Sequence, residues 1–133
     1  MRIVLANGCF DLLHYGHLLH LQYARKLGDT LVVALTEDAF VGKKPGMPIW
    51  PWEHRAALLR ELRCVSEVIS SKSGLEALRE VRPAVFVKGV DYEEGLELDV
   101  VAVCKEVGAQ IVITPTEKFS TSQLIKRIHE TCR

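Results

Sequence analysis

A chain of 133 residues with 17 Lys plus Arg against 17 Asp plus Glu has no net formal charge at pH 7, which excludes the broad basic field that nucleic-acid partners select. Its 48% apolar and 26% charged residues suit one globular domain, 1–133, and its longest apolar runs, such as Leu31 to Leu35, are five residues, far short of a membrane span. Met1-Arg2-Ile3 leads straight into an apolar run, so no secretory leader is expected, and cysteines at 9, 64, 104 and 132, without a Cys-x-x-Cys pair, indicate a reduced, cytoplasmic setting.

Ile3-Val4-Leu5-Ala6 reads as a buried first strand. A helix follows over Leu18 to Leu27, where Leu21, Ala24 and Leu27 recur on one face, with Gly28 as its stop. Leu31 to Leu35 is a second buried strand, and the polar stretch after it carries the adjacent cations Lys43 and Lys44. Pro51 opens a second helix with Ala56, Leu59 and Leu62 inward. On that helix Arg55 and Arg63 stand eight residues apart, roughly 80° round the axis, so both are expected at one rim.

Val65, Val68 and Ile69 suggest a third strand, and Leu75 to Val81 a short helix ending before Pro83. Ala84 to Val87 is the fourth strand, running into Lys88-Gly89-Val90-Asp91-Tyr92. A helix through Leu98, Val101, Ala102 and Val107 ends at Gly108, and Ile111 to Ile113 is the fifth strand. Ser120 and Gln123 fit a capping box that opens a last helix, with Leu124, Ile125 and Ile128 inward. Apolar strands alternating with amphipathic helices, without hairpin signals, predict a doubly wound parallel sheet. Ligands of such sheets bind beyond the carboxyl ends of the strands, at the switch in winding direction. The loops after strands one, four and five all reach that edge.

The stretch Gly8-Cys9-Phe10-Asp11-Leu12-Leu13-His14-Tyr15-Gly16-His17 sits where the first strand turns into the first helix. A helix start offers unpaired N–H groups and the positive end of a dipole, which suits phosphate, and histidines there add hydrogen bonds near neutral charge. Three other readings compete. His14, His17 and Asp11 would together ligate the metal of a hydrolase. The histidines would serve as plain cap residues, or Cys9 as a thiol nucleophile. The dinucleotide fingerprint Gly-x-Gly-x-x-Gly and the Walker phosphate loop are both absent from the sequence.

His-x-Gly-His in this setting resembles the signature of the cytidylyltransferase-like nucleotidyltransferases. That resemblance implies a Rossmann-like, doubly wound, five-stranded parallel sheet with helices on both faces, the HUP-type nucleotidyltransferase fold. It implies attack by an acceptor phosphate oxygen on the α-phosphorus of a nucleoside triphosphate, expelling pyrophosphate, with Mg²⁺ carried by the triphosphate. His14, His17, Lys43 and Lys44 would be catalytic. Gly8, Cys9, Phe10, Asp11, Gly16, Lys88, Gly89, Asp91, Ser120, Thr121 and Ser122 would frame the nucleotide, and Arg55 and Arg63 would hold substrate phosphate. No tightly bound metal is implied, Asp11 meeting Mg²⁺ through water.

Asn7 to Asp11 and Val87-Lys88-Gly89-x-Asp91-Tyr92 are similar to the heptose-1-phosphate adenylyltransferase group. Glu53-His54-Arg55 and the overall length are similar to the glycerol-3-phosphate cytidylyltransferases. The late signature of the latter, Arg-Thr-Glu-Gly-Ile-Ser-Thr, stands here as Pro115 to Thr121 without its arginine or glycine, which favours ATP over CTP. The acceptor would be a small phosphorylated sugar or polyol and the enzyme a homodimer. A nucleotide-binding module without catalysis is the alternative from another class.

Overall fold

The computed structural model describes residues 1–42, 46–89, 98–115 and 121–131. Its strands are β1 (Ile3–Gly8), β2 (Thr30–Thr36), β3 (Glu67–Ser71), β4 (Val85–Lys88) and β5 (Gln110–Ile113). Its helices are α1 (Tyr15–Arg25), α2 (Trp52–Arg60), α3 (Gly74–Val81), α4 (Leu98–Val107) and α5 (Thr121–Thr131). A 3-10 turn, Asp38–Phe40, follows β2. No helix among the described residues is long and apolar enough to cross a membrane.

All strand pairs are parallel, in the order β3-β2-β1-β4-β5. The chain therefore winds outward from β1 to β3, then returns past it to β4 and β5. The switch point lies between β1 and β4, where Ala6 stands opposite Val87. The expected doubly wound sheet is thus what forms.

Both faces are covered, which is why the strands read as unbroken apolar runs. Val4 and Ala6 point to one side with Leu31, Val33, Leu35, Val85 and Val87, under Leu21 and Ala24 of α1 and Ala56 and Leu59 of α2. Leu5, Val32, Ala34 and Phe86 point to the other, under Ala77 and Leu78 of α3 and Val100, Val103 and Cys104 of α4. The period of two in a strand sends alternate residues to the two layers.

Several local expectations give way to specific contacts. Gly28 is not a helix stop, since α1 already ends at Arg25. A side chain there would place Cβ 2.6 Å from the Arg2 carbonyl oxygen and 2.8 Å from Val4 Cγ2, so the close approach to β1 excludes one. On α4 the buried stripe is Val100, Val103 and Cys104, while Leu98 is 85% exposed. On α5, expected to turn Leu124, Ile125 and Ile128 inward, Leu124 and Ile128 are exposed. Gly108 does end α4 as expected, with a φ of 79° that the missing Cβ permits.

Candidate active site

At the carboxyl edge, Gly8 leaves β1 and gives its carbonyl to the Thr36 hydroxyl at 3.2 Å. The chain then turns through Phe10, whose φ of 46° is left-handed. Such a conformation costs about 1–2 kcal/mol for a residue with a Cβ and persists only when its surroundings impose it. They do so from three sides. The Phe10 ring is buried and meets the His17 ring edge-on, with centroids 5.2 Å apart. Asp11 accepts the Ile49 N–H at 2.7 Å through one carboxylate oxygen and the Trp50 N–H at 2.9 Å through the other. The Cys9 carbonyl accepts from Arg55 Nη1 at 2.8 Å.

The turn delivers the two histidines to the start of α1 in a defined state. His14 is the N-cap, in extended conformation, and His17 the third helical residue. His14 Nδ1 accepts the Gly16 N–H at 3.1 Å, and His17 Nδ1 accepts the His14 N–H at 3.1 Å. This is a capping box with imidazoles in both roles usually held by hydroxyl and carboxamide. The rings stack with centroids 3.8 Å apart at 24°.

Two imidazolium cations would repel at that distance, and burial opposes charge further. Burial lowers the pKa of His14. Burial, then the neighbouring His14 and His20, push His17 down to about 4. With Nδ1 accepting in a neutral ring, Nε2 carries the proton and donates. The first turn of α1 holds no acidic side chain to offset its dipole. The corner therefore offers hydrogen-bond donors with little net charge, which suits a polyanion.

A third imidazole, His20, was not singled out by the sequence, although the spacing 14, 17, 20 along one helix edge carried the signal. Its Nδ1 lies 3.1 Å from the hydroxyl of Thr114, which is fully buried just past β5. Lys88 ends β4 beside it: the Thr114 N–H donates to the Lys88 carbonyl at 2.8 Å. The Lys88 side chain is buried, with Nζ 4.9 Å from the Phe86 ring centroid. Burial and then the Lys88 charge push His20 down to about 4. Gly89 follows at the same edge, where an added Cβ would meet nothing within 4 Å.

Other expected site residues take different places. Arg55 is no rim residue. It is 1% exposed and spends its guanidinium on the Trp50 carbonyl at 2.9 Å, the Cys9 carbonyl, and the Asp38 carboxylate at 2.6 Å. Arg63 lies past the end of α2, which stops at Arg60, so the helical angle relating it to Arg55 does not apply. It is exposed on the connection entering β3, at the amino edge of the sheet, away from the histidines.

Asp11, expected as a nucleotide contact and a water-mediated metal partner, is 4% exposed and committed to backbone N–H groups. The Phe10 ring is likewise packing, not a ligand face. The hydrolase ligand set His14, His17 and Asp11 does not converge: each of these side chains is engaged with backbone. Among the described residues no three His, Cys, Asp or Glu side chains form a candidate metal site. Cys9 is half-buried and free. Lys43, Lys44, Asp91 and Ser120 lie outside the described residues, as do the side chains of Thr121 and Ser122, whose backbone opens α5. Trp50 is exposed beside this edge, whereas Trp52 turns inward and donates Nε1–H to the Leu35 carbonyl at 3.0 Å.

Comparison with known proteins agrees with this geometry. A profile described as cytidylyltransferase-like matches residues 5–127. The bifunctional protein HldE of Streptomyces coelicolor is 43% identical over 136 residues, taking in 98% of this chain and 29% of that protein. The protein of the same name from Pseudomonas fluorescens Pf0-1 is 42% identical over 135 residues, or 97% of this chain and 28% of that one. The chain thus spans under a third of the length of these curated relatives. Among solved structures, the lipopolysaccharide core biosynthesis protein from Thermoplasma volcanium superposes with a TM-score of 0.72 at 29% identity, over 90% of this chain and 99% of that one. The pantoate-beta-alanine ligase from Francisella tularensis, with a TM-score of 0.65 at 14% identity over 97% of this chain and 70% of that one, shares the fold.

Proposed function

The chain belongs to the cytidylyltransferase-like family, matched over residues 5–127, and from that premise we propose that it is a nucleotidyltransferase. It moves the nucleoside monophosphate of ATP, or of CTP, onto a small phosphorylated sugar such as heptose 1-phosphate. An acceptor phosphate oxygen bonds to the α-phosphorus, the bond from that phosphorus to its bridging oxygen breaks, and pyrophosphate leaves with the electron pair. Such a transfer needs placement and charge stabilisation more than a covalent nucleophile.

The observation that carries the reading is the state of the histidine pair. Both rings use Nδ1 on backbone N–H groups at an uncompensated helix start. Both are held neutral, so each presents a donating Nε2 to a triphosphate. Lys88 adds a fixed positive charge at the switch point, and Gly89, where an added Cβ would meet nothing within 4 Å, leaves room for phosphate to approach backbone, whereas the space beside Gly8 is taken by the Phe10 ring. Lys43, Lys44, Asp91, Ser120, Thr121 and Ser122 take their nucleotide-facing roles from the family resemblance. Mg²⁺ enters with the triphosphate as part of the substrate. The relatives named HldE and the lipopolysaccharide core protein favour a sugar phosphate acceptor and ATP. A cytoplasmic homodimer completes the proposal.

The test is release of pyrophosphate when the protein and Mg²⁺ are given ATP or CTP with a panel of sugar and polyol phosphates. ATP with a heptose 1-phosphate is expected to give the fastest release. CTP with glycerol 3-phosphate as the better pair would move the assignment to the cytidylyl branch. Nucleotide binding without release in every pairing would leave a binding module.

A further inference from the structure

His20 has no part in the transfer as derived above, yet its side chain makes a hydrogen bond to a residue 94 positions away. Helix α1 packs on β1 and β2, the first half of the sheet, and its Leu21 and Ala24 share an apolar layer with Val85 and Val87 of β4. Thr114 belongs to the second half, past β5, and its N–H is already given to Lys88 at the end of β4. The 3.1 Å contact between His20 Nδ1 and Thr114 Oγ1 joins residues 94 positions apart and spans the switch point. An apolar side chain facing a valine there would fill the same space without joining the two halves directionally.

We propose that His20 is a positioning residue: its bond to Thr114 locks α1 against the β4 and β5 exits and thereby fixes the histidine pair relative to Lys88. Among the described residues the titratable groups acting with His20 are His17 one turn earlier on α1 and Lys88 on β4; beside that ammonium the imidazole stays neutral and serves only as a hydrogen-bond partner. The donors of the corner and the cation of β4 come from opposite halves of the sheet. A triphosphate held by both senses any slip between them. Displacement of about 1 Å at a transfer site costs up to roughly 10²-fold in rate.

This inference rests on the transferase reading, so its experiment has two arms. In the kinetic arm, His20→Leu and Thr114→Val are each expected to lower kcat about 10–100-fold, with KM for the nucleotide changed about threefold or less. His20→Asn, which keeps a hydrogen-bonding atom near the Nδ1 position, and Thr114→Ser are expected to restore most of the rate. The double variant His20→Leu with Thr114→Val should be no slower than either single one. Wild-type kcat in both single variants, or losses that multiply in the double variant, would overturn the proposal.

The second arm needs no turnover. Side-chain ¹⁵N correlation spectra of the wild type should show His14 and His17 fixed with Nδ1 unprotonated. In Thr114→Val those signals should shift or average, and in Thr114→Ser they should return. Unchanged signals in Thr114→Val refute the positioning role even if no substrate pair is ever found. Absent pyrophosphate release with the spectral change intact refutes the transferase reading instead.

Discussion

A histidine that caps a helix with one ring nitrogen has only the other for a ligand, and this ties the chemistry of His17 to a structural role. Its Nδ1 holds the His14 N–H, while its ring edge supports Phe10 in a left-handed turn. Cap and donor can be separated. Glutamine shares this helical position with glutamate in the ordinary capping box, so His17→Gln keeps an acceptor for the His14 N–H and removes the Nε2–H. The variant is expected to unfold within about 1 kcal/mol of the wild type and to release pyrophosphate roughly 10²–10³-fold more slowly, the usual cost of one transition-state donor. Urea denaturation and the release assay check the two halves. A variant that is stable and fully active would remove His17 from the chemistry. The pair itself was legible in the sequence because strand, glycine turn, histidines and helix occur in order. Its capping geometry was not, because a hydrogen bond to Nδ1 depends on ring rotamers that spacing does not encode.

At the level of elements, the loops of the carboxyl edge are joined through one buried cation. Arg55 lies on the inner side of α2 beside Ala56 and Leu59 and reaches the motif turn, the 3-10 turn and the entry to its own helix. In the sequence it looks like a surface arginine, since helical spacing cannot tell a charged residue facing solvent from one drawn inward by backbone carbonyls. Arg63 was misplaced for a different reason: the apolar pattern runs through Leu62 while the hydrogen-bonded helix ends at Arg60. On α4 Val100 to Cys104 is an unbroken apolar run, so the stripe that packs is hidden among positions that do not.

The buried role of Arg55 makes a prediction opposite to phosphate binding. Arg55→Ala leaves the Cys9 and Trp50 carbonyls without their donor, and it should destabilise the fold by about 3 kcal/mol, the lower end of the range for a broken buried pair because Asp38 is half exposed. Arg55→Lys should recover only part of this, since one ammonium cannot match three acceptors in a fork. Denaturation midpoints of both variants check it. A raised KM with unchanged stability would return Arg55 to the substrate.

For the molecule as a whole, the sheet was legible from its apolar strands, and the site from the rule that ligands gather at a switch point. The bond of His20 to Thr114 across the switch point was not, because it links residues 94 apart. His20 and its neighbour His17 also shape how the fold responds to acid. His17 and His20 both titrate near 4 in the folded chain, against about 6.5 for an unperturbed imidazole. Between these values these two rings bind up to two more protons in the unfolded chain than in the folded one, so stability rises with pH across the window. The contribution is fully present above about pH 6.5 and is lost as pH falls toward 4, at up to roughly 2–3 kcal/mol per pH unit. Because burial is the leading cause for both rings, added salt should change the slope little. Urea midpoints at pH 7 and pH 5 are expected to fall steeply for the wild type. They should fall much less for His17→Gln with His20→Asn, whose side chains take up no proton. Equal losses in the two proteins would mean that the imidazoles are charged in the folded corner, and a charged, stacked pair there would contradict the donor arrangement on which the proposed phosphate binding depends.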